Sequence, residues 1–350
     1  MKVVYSPVQL RHEPSAEIWV GVRIPGTEVG RRVELIEQAA VLAGHKLVSP
    51  RPVTAAELEA VHDPGLIEFL RTAWAKWEQS DYPREPGQNR VVPYVFPLAS
   101  LTPGRPPRRP VSVAALAGVY AMDTMTLIGP GSWEAIEAAA SCAVTAVDLL
   151  AAGERAVYAA VRPPGHHAGR DFFGGSCYLN NAAIAAAKLV EAVGGSVTVI
   201  DLDAHHGNGT QEIFYDRSDV RYASVHIGPA FGYFPHFVGF EDEHGAGAGH
   251  AANLNLPLPP GTGDGDWLRA VEDLIHFAAG SNALVVSLGV DAWADDPESP
   301  FEATHAGFNR AGQMIGSTGL PTVIVQEGGY DLAALGSLVM AFLEGLARTP

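Results

Sequence analysis

Short apolar runs rich in β-branched residues alternate along the chain with longer segments of helical periodicity. Such runs are typical of buried strands in a parallel sheet, where both faces are covered. The alternation predicts an α/β protein with a mostly parallel sheet and helices on both of its faces. The predicted strands are Met1–Pro7, Val157–Val161, Gly195–Ile200, Ala283–Leu288 and Thr322–Val325.

The helical segments have recognisable ends. Ser132 is predicted as the N-cap of a helix that stops at Gly153. Further helices are predicted at Asn181–Val193, Asp266–Ala279 and Leu335–Leu346. Between the regular elements lie long loops rich in glycine and proline, and loops of that length in a compact domain are usually functional. These loops are His12–Gly30, Tyr82–Pro110 and Pro229–Ala251.

Polar residues follow four of the predicted strands, at the point where each strand ends. They are His166-His167, the segment Asp201–Gly209, Asp291 and Tyr330. The carboxyl ends of parallel strands meet at one edge of a sheet, where open α/β sheets build their sites. Because an apolar interior does not tolerate unpaired polar groups, four such clusters indicate one functional site rather than packing.

Three of these residues have the chemistry of a catalytic zinc site. In an extended chain Asp203 and His205 point to the same face, because side chains alternate. Together with Asp291 they supply the three protein ligands that a catalytic zinc site uses, and the fourth position is left for water. Zinc lowers the pKa of such a water, and His166 and His167 suit the proton transfers that hydrolysis then requires.

Four sequence blocks resemble the signature blocks of the arginase/deacetylase superfamily, in particular its zinc-dependent histone deacetylase and acetylpolyamine amidohydrolase branch. Each block alone is a weak signal, and their combination is specific. The likeness runs from about Tyr5 to the C-terminal helix. It implies the three-layer arginase/deacetylase fold as a single domain over residues 1–350, with long loops forming the active site at the strand carboxyl ends. The blocks are Arg162–Ala168, Asp201–Gly209, Ser287–Ala292 and Glu327–Tyr330.

The resemblance implies that the protein is an enzyme that hydrolyses linear amides. Asp201 and Asn208 would hydrogen-bond the imidazoles of His166 and His167, and Tyr330 would donate to the carbonyl oxygen as negative charge builds up on it. Other members of the family carry Asp where this chain has Asn208, and the neutral amide should leave His167 less readily protonated. The resemblance assigns one zinc ion per chain to Asp203, His205 and Asp291.

The resemblance also implies structural potassium, which the composition alone does not suggest. The ligands of a first ion, close to zinc, would be oxygens of Asp201, Asp203, His205, Ser224 and Val225. The ligands of a second, more remote ion would be backbone oxygens of Phe214, Arg217 and Val220.

Several features favour a small acetylated cationic amine, such as an acetylated polyamine, as the substrate. His12–Gly30, with Glu13, Glu17 and Trp19, resembles the insertion that caps the site and forms a homodimer in acetylpolyamine amidohydrolases. Glu298 falls at the tunnel mouth, where a carboxylate suits a cationic chain, although the sequence fits a solvated loop residue equally well. The predicted substrate-binding residues are Gly175, Ser176, Phe234, Glu298 and Gly328.

Two features count against a simple transfer from that branch. Ser176 stands where the family has one of two aromatic residues that sandwich the substrate, which predicts a wider tunnel unless Phe172, Phe173 or Tyr233 fills the gap. The loop Leu101–Arg109 is basic, where a polyamine site would prefer acidic residues. Protein acetyl-lysine is therefore the alternative substrate class. Separately, the sequence leaves open whether the metal is zinc or iron.

Two other classes of function fit less well. An arginase-like ureohydrolase needs further carboxylates for its second metal ion, and this chain has Trp293 and Gly207 at the positions concerned. A catalytically silent protein that senses a ligand would have lost Tyr330 or a zinc ligand, and all of these residues are present.

The composition narrows the partners and the location. The chain of 350 residues has 39 Asp and Glu against 23 Lys and Arg, a formal net charge of -16. This charge attracts cationic substrates and disfavours nucleic acid. Cys142 and Cys177 indicate a reducing compartment rather than a disulfide framework. The N-terminus lacks the apolar core of a signal peptide, and Val111–Met122 is too short to span a bilayer, so we expect a cytoplasmic protein without a membrane partner.

Overall fold

The computed structural model describes residues 1–80, 90–101, 103–105 and 108–348. The five predicted strands are present to within three residues at each end, and five further strands were not predicted. All strands in the described residues are short. They are β1 (Lys2–Val4), β2 (Glu17–Trp19), β3 (Val22–Ile24), β4 (Lys46–Val48), β5 (Ala156–Ala159), β6 (Val197–Asp201), β7 (Val220–Ile227), β8 (Asn253–Leu258), β9 (Ala283–Leu288) and β10 (Thr322–Gln326).

Eight of the described strands form one sheet in the order β4-β1-β5-β10-β9-β6-β7-β8. All described pairs in this sheet are parallel, as the predicted helical crossovers require. The register places Asp201 beside Ser224 on one side and Ser287 on the other. The carboxyl ends of β5, β10, β9 and β6 therefore lie next to one another at the middle of the sheet edge.

The described helices cover both faces of this sheet. They are α1 (Arg31–Leu42), α2 (Ala55–Glu59), α3 (Pro64–Glu78), α4 (Val113–Tyr120), α5 (Ser132–Ala151), α6 (Asn181–Val193), α7 (Asn208–Phe214), α8 (Asp264–Phe277), α9 (His305–Gly316) and α10 (Leu335–Ala347). In this part of the chain no helix is long and apolar enough to cross a membrane.

Alternate strand residues enter two separate apolar cores, one on each side of the sheet. Val323 and Val325 of β10 pack with α2 to α7, whereas Ile324 between them packs with α1, α8, α9 and α10. Both cores consist mainly of aliphatic residues, since a parallel sheet buries both of its faces. The predicted three-layer arrangement of a mostly parallel sheet between helices is confirmed.

Some predicted boundaries differ from the structure. The N-cap of α5 is Gly131 in a left-handed conformation, and Ser132 is the first helical residue. The hydroxyl of Ser132 instead accepts a hydrogen bond from the backbone N–H of Gly129 and contacts the buried ring of His12. Of the predicted loop Tyr82–Pro110, residues 82–89, 102, 106 and 107 lie outside the described part of the chain.

The loop His12–Gly30 contains regular structure that the sequence did not indicate. Strands β2 and β3 pair antiparallel within it as a short hairpin. Two hydrogen bonds attach this segment to the body of the protein. The hydroxyl of Thr124 donates to the backbone oxygen of Ile18 in β2, and the guanidinium of Arg90 donates to the backbone oxygen of Glu13, which precedes the hairpin.

Candidate active site

Three of the predicted metal ligands form a buried cluster beyond the ends of β6 and β9. The ligand atoms of Asp203, His205 and Asp291 lie within 4.8 Å of one another. Nδ1 of His205 is 3.1 Å from Oδ1 of Asp203 and 3.0 Å from Oδ2 of Asp291. The second oxygen of each carboxylate accepts a backbone N–H, from Gly328 and Ala204 respectively, which fixes its orientation.

The electrostatics of this cluster fit a dication. Burial and the adjacent Asp203 carboxylate raise the pKa of Asp291. Burial opposes a charge on His205, but its hydrogen bonds to Asp203 and Asp291 prevail and raise its pKa well above the usual range. The N–H at Nδ1 of His205 is thus shared between the buried carboxylates of Asp203 and Asp291. A dication with nitrogen and oxygen ligands can take the place of that proton, and zinc accepts this donor set.

Two histidines after β5 lie beside the metal cluster, each with a polar partner behind it. Nδ1 of His166 donates to Oδ2 of Asp201 (3.2 Å), and Nδ1 of His167 donates to Oδ1 of Asn208 (2.7 Å). The two rings are in contact, with centroids 4.0 Å apart. Because Nδ1 is the donor in each ring, Nε2 is the atom left for other partners. In His166, Nε2 lies 3.8 Å from Oδ1 of Asp203.

The two histidines differ in their affinity for protons. Burial opposes a charge on His166, but the carboxylates of Asp203 and Asp201 outweigh burial and raise its pKa to about 10. Burial and the neighbouring His166 and His205 hold the pKa of His167 well below its usual value. The hydrogen bond to Asn208 acts in the opposite sense and raises this pKa. That Asn208 leaves His167 less readily protonated than an Asp would stays a prediction.

Tyr330 faces the same site from the segment that follows β10. Its ring lines the cavity described below, and burial raises the pKa of its phenol well above the usual value, so the group remains a hydrogen-bond donor. The guanidinium carbon of Arg32 lies 4.5 Å from the centroid of the Tyr330 ring. This distance is within the range of a cation–π contact.

Arg32 belongs to a buried charge network that was not predicted from the sequence. Its guanidinium donates to the backbone oxygens of Gly329 (2.7 Å) and Glu327 (2.6 Å), and so holds the segment before Tyr330. Glu28 accepts from Arg32 (3.0 Å) and from Nε of Arg162 (2.8 Å). The only sequence signal for this network was that Arg32 is a charged residue at a position of α1 that faces the core. The groups that Arg32 contacts near Tyr330 are about 295 residues away in the chain.

Glu327 is a second residue that the sequence analysis left without a role of its own. One oxygen of its buried side chain accepts the backbone N–H of Gly165 (2.7 Å) and that of His166 (3.1 Å). The strand end that carries Tyr330 is thereby tied to the loop that carries the histidine pair. Burial raises the pKa of Glu327 to about 8.

A cavity of about 480 Å³ leads from the protein surface to the metal cluster. His167, His205 and Tyr330 lie on its wall, and the hairpin residues Trp19 and Ile24 take part in its lining. The predicted loops His12–Gly30 and Pro229–Ala251 both contribute residues to the wall of this cavity.

Two carboxylates line the same cavity. Glu298 comes from the loop after β9, and Glu17 comes from β2 of the hairpin. Burial raises the pKa of Glu17 to about 7, and the neighbouring Glu298 charge contributes in the same direction. Arg105, Arg108 and Arg109 are exposed and are not among the lining residues, so the basic loop does not offset these carboxylates.

Four of the five predicted substrate-binding residues line the cavity, and one does not. Gly175, Ser176, Phe234 and Glu298 are on its wall. Gly328 lies behind the metal cluster, where a side-chain carbon would come within 2.4 Å of Asp291. Its absent side chain lets the backbone N–H reach Asp203, and we correct its assignment from substrate contact to support of a metal ligand.

Ser176 occupies the wall position that lacks an aromatic ring. Its backbone is left-handed, with φ of 61°, and its N–H donates to the hydroxyl of Thr126. Of the three rings that could replace the missing wall, Phe172 and Phe173 are not among the lining residues. Phe173 is buried elsewhere, against Phe69 and Tyr178. Tyr233 does line the cavity, but it is stacked on the ring of His205 at 4.9 Å.

The residues of the first predicted potassium site lie together, next to the metal cluster. Ser224 is the register partner of Asp201, and Val225 follows it on β7. Nε2 of His226 is 2.8 Å from the backbone oxygen of Gly239, which makes Nδ1 an acceptor for the hydroxyl of Ser224 (2.8 Å). The lone pairs of Ser224 remain available to a cation. Residues of the second site, Phe214, Arg217 and Val220, follow one another around the end of α7.

A family model of the histone deacetylase domain matches residues 27–346. The chain belongs to this family. An acetylpolyamine amidohydrolase from Mycoplana ramosa is 38% identical over 350 residues, which cover 99% of this chain and 100% of that protein. The predicted family is confirmed.

Solved structures agree with this assignment. The crystal structure of an acetylpolyamine aminohydrolase from Burkholderia pseudomallei superposes with a TM-score of 0.92 at 37% identity, covering 99% of each chain. The HD domain of HDA15 superposes with a TM-score of 0.80 at 28% identity, covering 99% of this chain and 91% of the other. The fold predicted from the resemblance is therefore also confirmed.

Proposed function

We propose that the protein is a zinc-dependent amidohydrolase that removes acetyl groups from small cationic amines, with acetylated polyamines as the preferred class. The observation that carries this proposal is the convergence of three sets of groups on one narrow cavity. These sets are a buried metal-ligand cluster, two imidazoles with oriented partners, and two carboxylates on the cavity wall. The relatives named for acetylpolyamines support the same substrate class.

The metal ligands in this proposal are Asp203, His205 and Asp291, which would hold one zinc ion per chain. Zinc bound there supplies a Lewis acid for the amide carbonyl and an acidified water. Iron accepts the same nitrogen and oxygen donors, so metal analysis of the purified protein is needed to decide between the two.

The imidazole pair would move the protons. His167, whose Nδ1 proton is committed to Asn208, presents an unprotonated Nε2 that can accept a proton from water. His166, held by Asp201 and with its pKa raised to about 10, would help deliver a proton to the leaving amine. Oriented partners of this kind keep each ring in a single tautomer and position.

Tyr330 would donate its phenolic hydrogen to the carbonyl oxygen as negative charge accumulates there. Arg32 and Glu327 would keep the Tyr330 segment in place, through the contacts to its backbone described above. The narrow cavity would exclude bulk water around these groups, which strengthens each of the interactions with the developing charge.

The substrate preference rests on charge. A monoacetylated polyamine carries an ammonium group several bonds away from its amide, and Glu17 and Glu298 are the carboxylates on the cavity wall that can face it. The net charge of -16 favours the same partners over long range. Protein acetyl-lysine is the alternative class.

Assembly, potassium binding and location are further parts of this proposal. The hairpin exposes Trp19, Val20 and Val22, with 49%, 86% and 61% of each residue accessible. We infer that this surface pairs with a second copy in a homodimer, which sedimentation of the wild type and of a Val20→Asp variant can test. We also infer potassium at Asp201 and its neighbours, and a cytoplasmic location consistent with two free cysteines.

A substrate panel combined with metal analysis tests the function. The panel contains acetylated polyamines, acetyl-lysine peptides and longer acyl amines, each assayed for amine release. We expect the highest kcat/KM with acetylated polyamines, and no activity or bound metal in an Asp291→Ala variant. A clear preference for peptides would contradict the proposed substrate class, and full activity in the Asp291→Ala variant would contradict the proposed metal centre.

A further inference from the structure

The side chain of Asp296 connects two loops that meet at the cavity. It is only 6% exposed, although it lies in the loop between Asp291 and Glu298. Oδ1 accepts the backbone N–H of Glu298 at 3.0 Å. Oδ2 accepts the backbone N–H groups of Tyr330 at 2.7 Å and Asp331 at 3.1 Å. One carboxylate therefore holds the backbones of two residues that line the cavity, Glu298 and Tyr330.

The backbone of Glu298 is held on its other side as well. The phenol of Tyr233 donates to the backbone oxygen of Glu298, and the ring of Tyr233 is stacked on His205. Both polar groups of the Glu298 peptide backbone are thus tied to parts of the active site. The backbone of Glu298 is consequently held in place on the cavity wall.

We propose that Asp296 is a positioning residue that sets the place of Glu298 relative to Tyr330, and so the distance between the recognised ammonium group and the reacting amide. This inference rests on the proposed function, in which Glu298 faces the substrate cation and Tyr330 faces the amide oxygen. Asp296 itself touches neither group of the substrate. Its effect comes from fixing two backbone segments with one rigid planar group.

Two substitutions separate these contacts. Asn in place of Asp296 has one acceptor oxygen, and that oxygen satisfies more donors when it faces the two N–H groups of Tyr330 and Asp331. The amide NH2 group then faces the N–H of Glu298, two donors that repel each other, and Glu298 is released. Ser in place of Asp296 can accept the N–H of Glu298 two residues on, as in an ordinary serine turn, but is too short to reach Tyr330.

The test compares two substrates of equal length: a monoacetylated diamine, and an acetylated alkylamine without the second amine. With Asp296→Asn we expect KM for the diamine to rise roughly fivefold to tenfold while the neutral amide changes little, since one contact to a charged group is lost. With Asp296→Ser we expect kcat to fall on both substrates, with the ratio of their KM values unchanged. Zinc content and the far-UV spectrum are expected to equal those of the wild type.

A matched control and a double variant make the result specific. Asp295→Asn removes the same charge from the neighbouring exposed side chain, and should leave both KM values unchanged. In a Glu298→Gln background the Asp296→Asn substitution should add no further rise in KM. If Asp295→Asn and Asp296→Asn raise KM for the diamine equally, or if the rises add in the double variant, the proposed role of Asp296 is wrong while the proposed function still stands. A wild type inactive on both substrates would instead refute the proposed function, and this inference with it.

Discussion

His62 is a buried histidine whose protonation should destabilise the folded protein. It lies between α2 and α3, and Nδ1 donates to the backbone oxygen of Gly169 at 2.8 Å, just after the pair His166-His167. Nε2 accepts the backbone N–H of Asn180 at 2.8 Å, next to the start of α6. The ring must be neutral to make both bonds. Protonation would place a second N–H against the Asn180 donor and leave a charge without solvent.

The magnitude follows from the pKa. Burial lowers the pKa of His62 from 6.5 to about 4 in the folded protein. As the pH falls through 6.5 the unfolded chain binds a proton first, so stability is lost with falling pH and the loss levels off below about 4. Between pH 8 and pH 5 this single group removes about 2 kcal/mol of unfolding free energy.

Urea denaturation at pH 5, 6, 7 and 8 measures this effect when the wild type is compared with His62→Gln. Glutamine can make similar hydrogen bonds but cannot take up a proton, so the loss of stability toward pH 5 should be smaller by about 2 kcal/mol. Comparison at each pH cancels any common loss of metal. His250→Gln, which changes an exposed histidine, should keep the wild-type dependence. Parallel pH curves for wild type and His62→Gln would refute the reasoning.

Three further predictions concern the active site. Tyr330→Phe should keep zinc and KM but lower kcat roughly 100-fold, as expected for a lost oxyanion donor; near-normal turnover would exclude that role. Arg32→Lys keeps the charge but loses the forked contact to the backbone oxygens before Tyr330, and steady-state kinetics should show kcat roughly tenfold lower with KM less affected. Ser176→Tyr should raise kcat/KM for an acetylated diamine and lower it for a bulky aryl amide. Unchanged discrimination would disprove the open wall at position 176.

The sequence was sufficient to predict the parts of the site that follow strands. Residues such as Asp203 and Asp291 come directly after continuous apolar runs, and parallel strands bring their carboxyl ends to one edge whatever their order. The family resemblance then supplied partners for the imidazoles. The observed pairs His166 with Asp201 and His167 with Asn208 have the predicted geometry, while the catalytic roles of these residues stay predictions.

The parts that could not be predicted depend on contacts between distant segments. Arg32 reaches the backbone before Tyr330 only because α1 packs on the face of the sheet next to β10, and no local pattern contains that information. Gly328 was assigned to the substrate because a glycine near a site suggests close backbone approach. The backbone of Gly328 does come close to a site group, but that group is the Asp203 carboxylate rather than a substrate. The hairpin in His12–Gly30 was missed because its strands have only three residues each.

The strand order has a consequence for how the protein is made. Metal ligands come from the ends of β6 and β9, which are neighbours in the sheet but about 80 residues apart in the chain. Tyr330 follows β10, which lies between β5 and β9 in the sheet. A chain that ends before β10 contains all three candidate metal ligands but has a gap in its sheet between β5 and β9. The backbone N–H of Gly328, which orients the Asp203 carboxylate, comes after β10, so the candidate metal centre reaches its final geometry only when this late strand has entered the sheet.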